Sequence, residues 1–183
     1  HRTANEGDRA GFLLDRDLPV MARYALMVIQ FRQRELRPLR RVAQIDEVRT
    51  WQRPIERRAL VLIDPPYEDT AAELQSALQT VTVAIQRLAG AVVALWYPIK
   101  DDRTLAPWLR RVATTLAAPT LLSELWLHPR DSRVALNGSG LLIVNAPYQF
   151  DTRMAQWLPE LGQWLDTERV GGTALRWIID ESA

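Results

Sequence analysis

Apolar positions fall into two alternating patterns along the chain. Short unbroken aliphatic runs end abruptly at polar or proline residues, and longer stretches space their apolar residues by three and four. The run Leu60-Val61-Leu62-Ile63-Asp64 predicts a strand buried on both faces. Behind it, Leu74, Leu78, Val81, Ile85 and Leu88 mark one face of a helix. Thr70-Ala71-Ala72-Glu73 has the form of a capping box at the start of that helix, and Gly90 is a suitable stop. Ala91 to Leu95 reads as the next strand. Leu105, Trp108, Leu109, Val112 and Leu116 mark a second helix with Pro107 near its first turn. Leu121 to Leu127 and Leu141 to Val144 read as strands. Met154, Trp157, Leu158, Leu161, Trp164 and Leu165 define a helix face interrupted by Pro159, and Gly171-Gly172 turns into a last strand, Thr173 to Ile179. Upstream, Leu18 to Met27 reads as helix and Val28 to Leu36 as strand, stopped by Arg37-Pro38. Alternating strands and helices predict an α/β fold, a mainly parallel sheet with an antiparallel end.

Composition narrows the class. The 183 residues fit one domain, and 48% hydrophobic with 25% charged residues suits a packed core. Net charge is +1, which does not by itself announce a nucleic-acid binder. The basic residues are nearly all arginine, the better fork for phosphate; Lys100 is the only lysine. The absence of cysteine excludes disulfides and thiolate metal sites and suits a reducing compartment, so a cytoplasmic protein is expected. No apolar run has the length of a membrane span, and no cluster of histidines and acids has metal-ligand spacing.

The candidate chemistry sits at strand ends. In open α/β sheets ligands bind beyond the C-terminal ends of the strands. Asp64-Pro65-Pro66-Tyr67 closes the first aliphatic run there. The prolines fix the backbone around the carboxylate. Asp64 and the Pro65 carbonyl then offer two acceptors to an amino group on a planar ring, and Tyr67 could stack on that ring through its face rather than its hydroxyl. The plainer reading is a proline-stiffened turn in which Asp64 caps the next segment of chain. Asn145-Ala146-Pro147-Tyr148 imitates this corner and competes with it. Trp96-Tyr97-Pro98 arrives at the same sheet edge as Asp64; these aromatics suit base stacking, and Trp96 equally suits plugging the core. Glu35, at the end of an early strand, has the position at which nucleotide-binding folds hold ribose hydroxyls, or is an ordinary solvated acid. Arg53, Arg57 and Arg58 read as a solvated cluster within reach of phosphate, and His128 as a loop residue.

The corner resembles the (Asp/Asn)-Pro-Pro-(Tyr/Phe/Trp) motif of S-adenosylmethionine-dependent amino methyltransferases. Three longer segments narrow the resemblance: Arg58 to Glu68 around the corner, Ala94-Leu95-Trp96-Tyr97-Pro98, and Ser139 to Tyr148. In order and spacing they resemble the RlmJ-like family, which methylates the N6 of an adenine in 23S ribosomal RNA; the similarity runs from about Leu18 to the end. The resemblance implies a class I, Rossmann-like methyltransferase fold with S-adenosylmethionine as cofactor and 23S ribosomal RNA as partner, acting as a monomer without metal or membrane. It assigns catalysis to Asp64, Pro65 and Tyr67, cofactor contacts to Glu35, Asp46 and Asp64, and substrate contacts to Pro66, Tyr67, Trp96 and Tyr97. Glu35-Leu36-Arg37-Pro38 matches the family's cofactor-contacting glutamate motif. Asp46 matches the acid of the family's Asp-Gly, but Glu47 replaces the glycine, and the connection from Glu35 to Asp46 is short for the usual helix. No strand and glycine-rich turn precedes Asp64, so an N-terminally truncated methyltransferase domain over 18–183 is expected, with 1–17 a loop or disordered end. Alternatives at this stage are an amino methyltransferase of DNA or of protein glutamine, or an inactive fragment that keeps the fold and RNA binding.

Overall fold

The computed structural model describes residues 25–31, 38–43, 59–132 and 136–180. Within them the order is β1 (Ala25–Phe31), β2 (Pro38–Ala43), β3 (Ala59–Asp64), α1 (Thr70–Arg87), β4 (Val92–Ile99), α2 (Asp102–Thr115), β5 (Thr120–Trp126), β6 (Gly138–Val144), α3 (Phe150–Leu165) and β7 (Gly172–Ile179). The strands form a seven-stranded sheet ordered β2-β1-β3-β4-β6-β5-β7.

Neighbours β3 and β4 pair in parallel, joined by α1 as the crossover. The other neighbouring pairs are antiparallel. The sheet is therefore mixed rather than mainly parallel with an antiparallel end, as the sequence suggested: parallel pairing is confined to β3 and β4, because β1 and β6 each run opposite to both of their neighbours. The consequence for function is an assignment of edges. The C-terminal ends of β3, β4 and β5 and the N-terminal end of β6 lie along one edge of the sheet. The C-terminal end of β6 lies at the other, where Val144 pairs with Val93 and Thr120.

Helices α1 and α2 cover one face. Leu74, Ala77, Leu78 and Val81 of α1 and Leu105, Trp108 and Val112 of α2 bury themselves against Val61, Ile63, Val93, Leu95, Tyr97 and Ile99. The helical and strand periodicities of the sequence meet here, each presenting its apolar side to the other. Helix α3 lies on the opposite face, where Met154 packs with Leu121 and Ile143. It buries only Met154, Leu158 and Gly162, and it runs unbroken through Pro159, which the sequence suggested as an interruption.

Three further expectations are corrected. β3 is not sealed on both faces: Ala59, Val61 and Ile63 are buried, whereas Leu60 and Leu62 are half-buried, because α3 lies over β5 and β7 rather than over β3. Ala25, Leu26 and Met27 belong to β1 rather than to a helix, since pairing with Asp64, Ile63 and Leu62 overrides their helical propensity. The N-cap of α1 is Asp69, not Thr70: its Oδ1 accepts from the Ala72 N–H at 3.2 Å. At the centre of the sheet Gly140 is required by close approach, because a Cβ there would collide with the ring of Tyr97 on β4.

Candidate functional site

β3 carries Asp64 to the edge, and its side chain is exposed. Partial burial of the carboxylate raises its pKa. No hydrogen bond or ion pair holds that carboxylate among the described residues. The corner then alternates: Pro65 is buried, Pro66 exposed and Tyr67 buried at 4% exposure. The register that sets Ile63 beside Leu95 brings Asp64, one step on, level with Trp96.

Tyr67 adopts φ 53, the left-handed region that a bulky residue enters only when its surroundings impose it. Several contacts do so here. Its hydroxyl donates to the Trp96 carbonyl at 2.7 Å. Its ring meets the Trp96 ring edge-on, with centroids 5.5 Å apart. Its own carbonyl accepts a hydrogen bond from Lys100 Nζ at 3.0 Å, and the same ammonium donates to Thr70 Oγ1 at 3.0 Å. The tyrosine hydroxyl therefore has a partner, against the expectation that only the ring matters. Of the residues flanking Asp64 at this edge, Pro66 is exposed and Trp96 half-buried.

Tyr97 leaves the substrate-facing set. Side chains alternate along a strand, so Trp96 and Tyr97 point to opposite faces. Tyr97 is at 0% exposure, its ring edge-on to Trp108 at 5.3 Å and its hydroxyl donating to Glu124 Oε1 at 2.9 Å. Burial, and after it the neighbouring Glu124 carboxylate, pushes its pKa up. Glu124 is in turn bound by Arg130 Nη1 at 2.8 Å, and Arg130 bridges to Asp102 at 2.7 Å and stacks over Trp126 at 5.1 Å. Burial pulls the guanidinium pKa down, but its hydrogen bonds to the two carboxylates, Asp102 first, outweigh that and hold it charged. This network ties the ends of β4, β5 and α2 together at the Asp64 edge.

Asn145 sits elsewhere. At the far edge of the sheet its Nδ2 donates to the Ala89 and Ala91 carbonyls, each at 2.9 Å, and its backbone takes φ 54. It clamps the turn between α1 and β4. The two imitating corners are thus at opposite edges, and only Asp64 shares an edge with Trp96. Glu35, Asp46, Arg53, Arg57 and Arg58 lie outside the described residues. His128 is half-buried and comes after β5. Among the described residues no group of three or more His, Cys, Asp or Glu could hold a metal ion, and no helix is long and apolar enough to cross a membrane.

Two further residues lie near the corner. Lys100 is conspicuous in the sequence only as the sole lysine, placed just after Trp96-Tyr97-Pro98-Ile99. Glu73, in the first turn of α1, is buried at 5% exposure, and neither carboxylate oxygen has a hydrogen-bond partner. Burial, then the charge of Glu68, raises its pKa above the ordinary 4.5; the charge of Lys100 pulls the other way without overcoming this.

A central mixed sheet with helices on both faces and the Asp-Pro-Pro-Tyr corner at its edge gives an α/β, Rossmann-like architecture, and the family model places it among the methyltransferases. The chain belongs to the family described as ribosomal RNA large subunit methyltransferase D, RlmJ, whose model matches residues 18–179. It is 30% identical over 128 residues to ribosomal RNA large subunit methyltransferase J of Escherichia coli (strain K12), covering 70% of this chain and 45% of that protein. The Haemophilus influenzae protein of the same name matches to the same extent. The chain spans about half the length of these curated relatives. In fold it is similar to the crystal structure of protein LPL1258 from Legionella pneumophila, with a TM-score of 0.60 at 22% identity over 73% of this chain and 48% of that one.

The packing at the corner leads to two expected outcomes. Tyr67→Phe removes the bond to the Trp96 carbonyl, so stability to urea should fall by about 0.5–1.5 kcal/mol; an unchanged midpoint would show that the hydroxyl is not engaged. The raised pKa of Glu73 means that its contribution to stability is fully present below its ordinary pKa and is lost as pH rises through the raised value. Glu73→Gln should therefore flatten the decline in stability from acid to neutral pH and be the more stable form at neutral pH. Parallel pH–stability curves for the two proteins would contradict this.

Proposed function

We propose that the whole protein transfers a methyl group from S-adenosylmethionine to the N6 of an adenine in 23S ribosomal RNA, as a monomer in the cytoplasm. The observation that carries the reading is the exposed Asp64 carboxylate, without a partner among the described residues, on a backbone held by two prolines and a pinned Tyr67. Membership of the RlmJ family supports the substrate class.

Asp64 and the Pro65 carbonyl accept hydrogen bonds from the adenine amino group and aim its lone pair at the incoming methyl. Pro66 is the exposed surface of the corner on which the base rests, with Trp96 at the same edge. Tyr67, buried as it is, shapes that surface from beneath. The chemistry that S-adenosylmethionine supplies when bound is an activated methyl on a sulfonium centre. Glu35, Asp46 and Asp64 are the residues proposed to hold it, and a carboxylate at the sheet edge suits a cationic donor. Since the methyl is already activated, orientation is the main contribution of the protein. A base in a helix or folded junction must first be unstacked.

Protein-free 23S RNA from cells lacking the gene should accept labelled methyl groups from the whole protein, and the label should map to one adenine N6. Equal transfer to duplex DNA, or transfer to a glutamine-containing peptide, would move the assignment to the corresponding amino methyltransferase. No transfer to any of these would leave a protein that keeps the fold without the activity.

A further inference from the structure

We propose that Lys100 is a positioning residue of this methyltransferase site, holding the Asp64 corner in its working shape through the Tyr67 carbonyl. The inference rests on the assignment of catalysis to Asp64. It starts from the backbone. Tyr67 is a bulky residue in the left-handed region, and such a conformation persists only when surrounding contacts over-determine it. The hydroxyl and the ring of Tyr67 fix the side chain against Trp96. They do not set the peptide plane on the C-terminal side of Tyr67. The ammonium of Lys100 takes that carbonyl, at 3.0 Å, and it takes Thr70 Oγ1 in the first turn of α1 at the same distance. One cation thus joins the end of the corner to the start of the next helix.

The lysine is itself anchored. Its carbonyl accepts from Asn137 Nδ2 at 3.2 Å. Asn137 is buried at 1% exposure, and its main chain donates to the Ile99 carbonyl and accepts from the Leu127 N–H, both at 2.8 Å. The bracket therefore runs from the ends of β4 and β5 through Lys100 to the corner after β3. Buried Glu73 lies within the electrostatic reach of Lys100. Removing the ammonium leaves Glu73 without that attraction and releases the Tyr67 carbonyl. The ammonium bonds the Tyr67 carbonyl and Thr70 Oγ1 and not the Asp64 carboxylate, so Lys100 acts on the reaction through the geometry of the corner.

The test is steady-state methyl transfer by the whole protein with Lys100→Met and Lys100→Arg. Lys100→Met keeps the apolar stem and should lower kcat by about 10- to 100-fold, the worth of a charge-assisted hydrogen bond, with both KM values within about threefold of wild type. The acid limb of the pH profile should not move, and Lys100→Arg should restore most of kcat. A wild-type kcat in Lys100→Met overturns the proposal. So does an equal loss in the arginine variant, or a loss carried by KM alone. If Lys100→Met does not fold, Thr70→Val, which removes one of the two acceptors, should lower kcat about 3- to 10-fold; an unchanged kcat there overturns it. Failure of wild-type protein to transfer methyl groups would strike the functional assignment and not the bracket. Crystal structures then decide the bracket, with Tyr67 expected to leave positive φ in Lys100→Met and an unmoved corner contradicting it.

Discussion

The parallel register between β3 and β4 is the constraint that sets the site. Placing Ile63 beside Leu95 fixes the Asp64 corner next to Trp96, and it leaves the first residue beyond β4, Lys100, within reach of the Tyr67 carbonyl. A one-residue slip would invert which side chains of β4 face the helices and send Tyr97 out of its buried place against Trp108 and Glu124. The register is specified because that face is sealed: Val93, Leu95, Tyr97 and Ile99 are at 0% exposure beneath α1 and α2. Core packing and site geometry are thus one choice, made once by the alternation along β4.

The corner combines two requirements that oppose each other. An acceptor for an amino group, the role proposed for Asp64, has to be exposed and unspent, and the carboxylate is partly desolvated and without a partner among the described residues. The backbone that presents it has to be rigid, or orientation contributes nothing to the rate. Prolines stiffen the chain from within, and Tyr67 is then held in a left-handed conformation by contacts from β4 and the segment after it. The Arg130 network at the same edge serves the same end on a larger scale, joining α2, β4 and β5 where loops would otherwise separate.

Much of this was legible in the residues. Aliphatic runs located β3 to β7, helical spacing located the three helices among the described residues, and the Asp-Pro-Pro-Tyr corner stood out by its chemistry. What failed did so for local reasons. Period-two alternation already forbids Trp96 and Tyr97 from lining one site, yet the pair read as a unit because both are aromatic. Ala25 to Met27 look helical on propensity, which strand pairing overrides. Thr70 fitted a cap, but Asp69, one residue earlier, competes better for the same N–H groups. The left-handed Tyr67 and the reach of Lys100 could not be seen, since both depend on contacts about thirty residues apart in sequence. Motif order and the family resemblance favoured Asp64 over the imitating Asn145 corner, but nothing in the sequence showed that the antiparallel entry of β6 places Asn145 at the opposite edge.

The central claim is that the methyl group is transferred at the Asp64 corner, and parallel kinetics of Asp64→Ala and Asn145→Ala in the whole protein test it most directly. The Asp64 variant should keep its fold and lose methyl transfer by roughly a hundredfold or more, the cost of one transition-state hydrogen bond to a charged group, about 2–4 kcal/mol. The Asn145 variant, which loses a structural clamp at the other edge, should be less stable but retain substantial activity. An active Asp64→Ala beside a folded and inactive Asn145→Ala would place the chemistry at the wrong end of the sheet for this account.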